Sequence, residues 1–289
     1  MAPAGLSAPL DWTGGPALLW VIVAALLFWL GGRGRRPARA ADRWRTAAFA
    51  GGLLAILGAV DSPLDELADQ LFWAHMTQHL LLIGVATPLL ALARPWIRMW
   101  RGVPVRVRRP VTRALVQPGR PAARRAAGLV GGAVGSWLIF NLTFCAWHLP
   151  VLYDAALRWP LIHAFEHLTF FATALLFWTR VIDSPPWRSP LSEPAKVVYL
   201  ASTMVVGWVL AIVLALAASP LYSAYAAEAS RPGHISALTD QQLAAGVMWV
   251  PGSVSYTIAI IFIAYRWLEP RDSRVRPGAG PKTAQTGVG

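Results

Sequence analysis

Charge is scarce in this sequence, and acidic charge is scarcest. Asp, Glu, Lys and Arg make up 14% of 289 residues, against roughly 25% in an average soluble domain. The single cysteine, Cys145, cannot close an internal disulfide, and no CxxC pair is available for zinc or redox work. No segment alternates apolar and polar residues with period two, which argues against a β-barrel. No repeat of fixed period is present either. What the chain has instead is apolar residues, 56% of the total, and a mean hydropathy of +0.47. A disordered chain, a coiled coil and a disulfide-stapled secreted domain are excluded, and a soluble enzyme is disfavoured. The class this composition fits is a multi-pass membrane protein.

A helix crossing the hydrocarbon core needs roughly 20 mostly apolar residues. Seven stretches qualify: 15–30, 44–60, 71–93, 128–149, 161–182, 196–218 and 243–265. The second is weakest, because Gly51, Gly52 and Gly58 interrupt it. The net charge of +12 then orders the seven. Of the 26 basic residues, 24 fall between spans one and two, three and four, or five and six, or after span seven, and only Arg158 and Arg231 fall on the other side. Basic residues accumulate on cytoplasmic loops, so the expectation is an N-terminus outside and a C-terminus in the cytoplasm. Many of the 15 tryptophans lie near span ends, including Trp44, Trp73, Trp96, Trp147, Trp159 and Trp178, as an interfacial aromatic belt requires. The first apolar run has no basic segment before it and a dense arginine run after it. It reads as an uncleaved span rather than a signal peptide. Arg35-Arg36 follows that run, so it is not a twin-arginine signal.

The expected architecture is therefore an all-α polytopic membrane helical bundle with about seven transmembrane helices. One transmembrane domain covers residues 1–270, and 271–289, rich in Gly, Pro and Thr, reads as a disordered cytoplasmic tail. The basic loop at about 94–127, with Trp96 and Trp100 among its arginines, reads as a segment lying on anionic headgroups of the lipid bilayer. No nucleic-acid partner is expected, because topology already accounts for the charge.

All six histidines fall on the side opposite the basic loops. His75 and His79 open span three, His148 closes span four, and His163 and His167 open span five. His234 lies in an outer loop beside Pro232 and Gly233 and ranks last as a candidate. At 1.5 Å per residue, His79 is only about 12 Å below its span's start and His167 about 9 Å below its own. His75/His79 and His163/His167 are i,i+4 pairs, so each pair shares a helix face. Such groups are costly in lipid and turn toward an interior or a cavity. Five imidazoles at one depth therefore predict a shared polar or metal site, against the blander reading of scattered interfacial residues. Met76 and Met248 fall at comparable depth, although alone they read as packing residues. Imidazole with thioether suits copper, above all Cu(I). Gln78 and Glu166 are expected as partners that orient the rings. Cys145 reads as a small core residue.

His163-Ala164-Phe165-Glu166-His167 also fits H-x-x-E-H, an inverted zinc-protease pattern. That chemistry needs a further carboxylate ligand and an open water position. Of the two later glutamates before the tail region, Glu193 lies on the wrong side and only Glu228 remains, so the match is weak.

The motifs converge on a resemblance. His75-Met76-Thr77-Gln78-His79-Leu80-Leu81 with Pro88 resembles the third-span signature of the CtaG family, membrane assembly factors for bacterial cytochrome c oxidase. Trp147-His148-Leu149-Pro150 with Leu152-Tyr153-Asp154-Ala155-Ala156 resembles the next signature, and His163 with Glu166-His167 the third. Asp240-Gln241-Gln242-Leu243-Ala244 with Met248-Trp249-Val250-Pro251-Gly252 resembles the last. The likeness covers residues 48–268; Cys145 and the arginine loop have no counterpart in it. It implies a seven-span protein of the bacterial plasma (inner) membrane that matures the oxidase, with copper supply to the CuB centre of subunit I as the family's proposed role. Implied partners are oxidase subunits, subunit I first, and an extracytoplasmic copper donor. The implied metal residues are His75, His79, His148, His163 and His167, with Met76 and Met248, and the polar partners are Gln78, Glu166, Asp154 and Asp240. No chemical turnover is needed, so an enzyme is not expected. Three rivals stand beside this reading: a CopD-like copper transporter, a membrane cytochrome with haem ligated across helices, and a metal-free assembly scaffold.

Overall fold

The computed structural model describes residues 14–33, 40–116, 128, 130–227 and 231–269. The expected tail, 271–289, lies outside the described residues, as does 117–127 of the basic loop. The described chain is helical nearly throughout, and among its residues β-type pairing is limited to one isolated bridge between Ser184 and Trp187. The protein is an all-α membrane helical bundle.

Each of the seven apolar stretches contains a helix. They are α1 (Pro16–Leu30), α2 (Ala40–Val60), the segment from α4 (Phe72–Leu80) through a π-helical turn (Leu81–Ala86) to α5 (Thr87–Ala93), α8 (Ala133–Trp147), α10 (Pro160–Val181), α11 (Glu193–Leu216) and α13 (Ala237–Leu268). Among the described residues, four helices are long and apolar enough to cross a membrane alone: Phe72–Ala93, Pro160–Val181, Glu193–Leu216 and Ala237–Leu268. Two bent pairs qualify jointly. One joins α2 to α3 (Pro63–Gln70) at 42°, and the other joins α8 to α9 (Pro150–Arg158) at 73°. α1, with 15 residues, is shorter than a full crossing.

Prolines set these bends. Pro63, Pro150 and Pro160 each open a helix, where a missing N–H costs nothing. The residue before each is driven out of the helical region: Ser62 has ψ 172°, Leu149 ψ 131° and Trp159 ψ 109°. The π-helical turn has a related origin. The ring of Pro88 would crowd the carbonyl of Gly84 in a regular helix. The widened turn absorbs that conflict, and its Ile83 carbonyl accepts from the indole of Trp178 at 3.0 Å and the Thr87 hydroxyl at 2.7 Å.

The basic loop is not irregular where described. It forms α6 (Trp96–Gly102) and α7 (Val105–Val116). α6 docks on the end of α1: Arg98 donates to the Phe28 carbonyl at 2.7 Å and sits 3.8 Å over its ring. The approach is so close that a Cβ at Gly31 would stand 1.8 Å from the Arg98 carbonyl oxygen, and one at Gly102 2.2 Å from that of Leu27. α7 carries exposed Val105, Val107 and Val111 among its arginines. Cys145 is exposed on α8 rather than in the core. It shares an outward face with Leu138, Leu142 and Leu149, while Phe140, Asn141 and Trp147 turn inward.

At the end of the bundle away from α6, the short helices α3, α9 and α12 (Ser223–Ala227) form a cap. Phe72, Met76, Tyr153, Leu214, Tyr222 and Tyr225 fill the space beneath it.

Candidate metal centre

Helices α4 and α10 face each other beneath this cap, and each contributes its histidine pair. His75 and His79 come from α4, with ring centroids 4.4 Å apart. His163 and His167 come from α10, 4.3 Å apart. Across the interface His75 stacks on His163 at 5.0 Å, and His79 meets His167 edge-on at 5.3 Å. Glu166, three residues after His163 and so on the same face, lies between the α4 histidines. Its carboxylate oxygens stand 3.6 Å from His75 Nε2 and 3.7 Å from His79 Nε2. His75 and Glu166 are fully buried, and His79 is 3% exposed.

Those two separations are too long for good hydrogen bonds, and nothing else among the described residues supplies them. The Nε2 atoms of His75, His79, His163 and His167 and both oxygens of Glu166 are buried without a hydrogen-bond partner. Leaving one such group unpaired costs about 1–3 kcal/mol. Six such atoms in two adjoining groups are out of keeping with a merely structural interior, in which buried polar groups are satisfied. The same atoms fit a cation. Two sets lie with their donor atoms within 4.8 Å of one another: His75, His163 and His167, and His75, His79 and Glu166. Tetrahedral coordination at about 2.0–2.2 Å places ligand atoms roughly 3.3–3.6 Å apart, close to the separations around Glu166. His75 belongs to both sets.

Other expected residues are placed differently. His148 belongs to neither set; the ring of Tyr153 stands 6.5 Å from it and 5.1 Å from His75. Its Nδ1 bonds the Phe144 carbonyl at 2.7 Å, while its Nε2 is buried and unpartnered. Met76 and Met248 line a neighbouring cavity with Met204, which sequence reasoning missed. His234 is exposed at the surface. Glu166, expected as an orienting partner, stands among the donors themselves.

Gln78, Asp154 and Asp240 act on the framework. Gln78 donates to the Ala59 carbonyl and to Asp65, both at 2.7 Å, tying α4 to α2 and α3. Asp240 accepts from the Phe72 and Trp73 amides at 2.9 and 3.1 Å, capping the start of α4 from α13. Asp154 accepts from the Ser223 hydroxyl and the Ala224 amide, holding α12 on α9. Gln241, one residue along the same motif, bonds the Leu221 amide and the Leu214 carbonyl. Tyr222 and Tyr225 close the cap by donating to the carbonyls of His148 and Ala68. The motif residues therefore divide into donors gathered in two sets that share His75 and struts that hold those donors in place.

No curated protein and no solved structure matches the chain. A family model does, that of the cytochrome c oxidase caa3 assembly factors (Caa3_CtaG), over residues 25–270. That match takes in both histidine pairs, Glu166, His148 and every strut just described, and the chain belongs to the cytochrome c oxidase caa3 assembly factor family.

Proposed function

We propose that this assembly factor carries copper as cargo in the cluster formed by His75, His79, His163, His167 and Glu166, and supplies it to the CuB centre of oxidase subunit I in a bacterial plasma membrane. The observation that carries the reading is the set of buried, unpartnered Nε2 and carboxylate atoms converging from α4 and α10. Electrostatics favours the monovalent ion. Four neutral imidazoles and one ionised carboxylate carry a charge of −1, so Cu(I) makes the site neutral and a divalent ion leaves it positive. A net charge is costly at membrane depth. Imidazole is also a natural ligand for copper. Two overlapping ligand sets sharing His75 suit a carrier, since an ion can exchange ligands stepwise without being wholly released. The reading needs no chemical turnover. An extracytoplasmic donor would load the site from the capped end.

The experiment is anaerobic loading of the detergent-purified protein with Cu(I), removal of free metal, and metal analysis beside a His75→Ala variant checked for helicity. We expect retained copper in the wild type and one copper per chain fewer in the variant. A wild type that retains no copper overturns the reading and leaves the scaffold alternative. A Soret band with stoichiometric haem on the same sample favours the cytochrome alternative. Copper accumulation in cells lacking any oxidase favours the transporter.

A further inference from the structure

Beside the histidine cluster lies a cavity of about 70 Å³. Three of the chain's five methionines line it: Met76 from α4, Met204 from α11 and Met248 from α13. His79 and His148 line it too. His148 is 5% exposed, and its Nε2 is buried, unpartnered and bound to no other described group. The remaining walls are mostly aromatic, aliphatic or glycine, Phe140 and Phe144 among them, with hydroxyls from Thr203, Ser253 and Tyr256. The volume is far below the roughly 300–1,000 Å³ of a pocket for an organic ligand, so a porphyrin or quinone does not fit. A cavity this small with three thioethers and two imidazoles matches one chemical class, a soft monovalent cation. The cavity reaches the bundle surface at Trp208, a lining residue on the outer face of α11 that is 36% exposed.

We propose that this cavity is a second Cu(I) station, with ligands drawn from Met76, Met204, Met248 and His148, through which copper leaves the histidine cluster sideways into the membrane. The inference rests on the proposed copper cargo. His79 is the hinge of the route, because it belongs to the set with Glu166 and also lines the cavity. Movement is ligand exchange: bonds from nitrogen and carboxylate oxygen to copper give way to bonds from thioether sulfur, and copper stays at +1 throughout. Thioethers are neutral, so the cavity holds the ion less tightly than the cluster with its carboxylate. It is the site from which release to a partner docked near Trp208 is easy.

The test loads three purified proteins with Cu(I) anaerobically: wild type, His75→Ala, and Met76→Leu/Met204→Leu/Met248→Leu. Met to Leu conserves volume, so folding is preserved. Copper per chain and X-ray absorption are recorded for each. We expect two coppers in the wild type, with sulfur scattering appearing on the second. His75→Ala keeps one copper with sulfur neighbours. The leucine variant keeps one with only nitrogen and oxygen neighbours, and its copper passes to an external chelator at least about tenfold more slowly. His148→Gln, which retains a donor for the Phe144 carbonyl, is expected to weaken the second copper in the same way. A wild type with one copper and no sulfur scattering overturns the station while leaving the cluster intact. A leucine variant identical to the wild type in stoichiometry, spectrum and transfer rate overturns it as well. A wild type that binds no copper at all removes the cluster and the station together.

Discussion

Two sets of buried polar side chains occupy the same half of this bundle and behave oppositely. The Gln78 amide nitrogen, both oxygens of Asp240 and the Gln241 amide bond backbone groups of neighbouring segments at 2.7–3.1 Å, with Gln78 Oε1 alone of these left unpaired. His75, His79, His163, His167 and Glu166, a few ångströms away, leave the atoms that face one another unpaired. The first set holds the bundle together. The second is the set proposed above to hold copper. The contrast separates residues that share the same sequence motifs: Gln78 lies one position from His79, yet it points at α2 and α3 while His79 points at α10.

The sharpest way to break the contrast is at His75, the residue common to both ligand sets. His75→Ala should lower copper affinity by about 100-fold or more and leave the apo protein at least as stable as the wild type, because it removes an unsatisfied group. A chelator-competition titration paired with thermal unfolding reads both effects. Asp240→Ala should do the reverse. It strips two buried amides of their acceptor, and we expect a loss of about 1–3 kcal/mol in unfolding free energy, with copper stoichiometry unchanged in the folded fraction. Gln78→Leu should show a smaller loss of the same kind, about 1 kcal/mol, again without change in copper. At the bottom of the scale, His234→Ala should alter neither quantity, since that side chain is exposed. If Gln78→Leu abolished copper binding while His75→Ala did not, the division into struts and donors would be reversed.

Much of this was legible in the sequence. All seven apolar stretches hold helices, because apolar runs of that length leave the backbone no other way to satisfy itself in lipid. The i,i+4 histidine pairs do share faces and do meet across α4 and α10. The central place of Glu166 was also within reach: it is i+3 from His163, and that spacing puts it on the same face. The π-helical turn carried only an indirect signal, the conflict between Pro88 and Gly84. That His148 falls outside both ligand sets was not readable, because its position depends on the 73° bend after α8. Met204 looked like any apolar residue of its span, and its role emerges only where α11 meets α4 and α13. Cys145 was misplaced for the same reason. The rotation of α8 is fixed by its neighbours rather than by its own nearly uniform apolar sequence.

The most direct measurement is copper K-edge X-ray absorption on the wild-type protein loaded with one equivalent of Cu(I). The account predicts nearest neighbours that are all nitrogen or oxygen, with the outer scattering of imidazole, and in His75→Ala the replacement of that shell by one containing sulfur. A spectrum without imidazole scattering, or one that His75→Ala leaves unchanged, would contradict it.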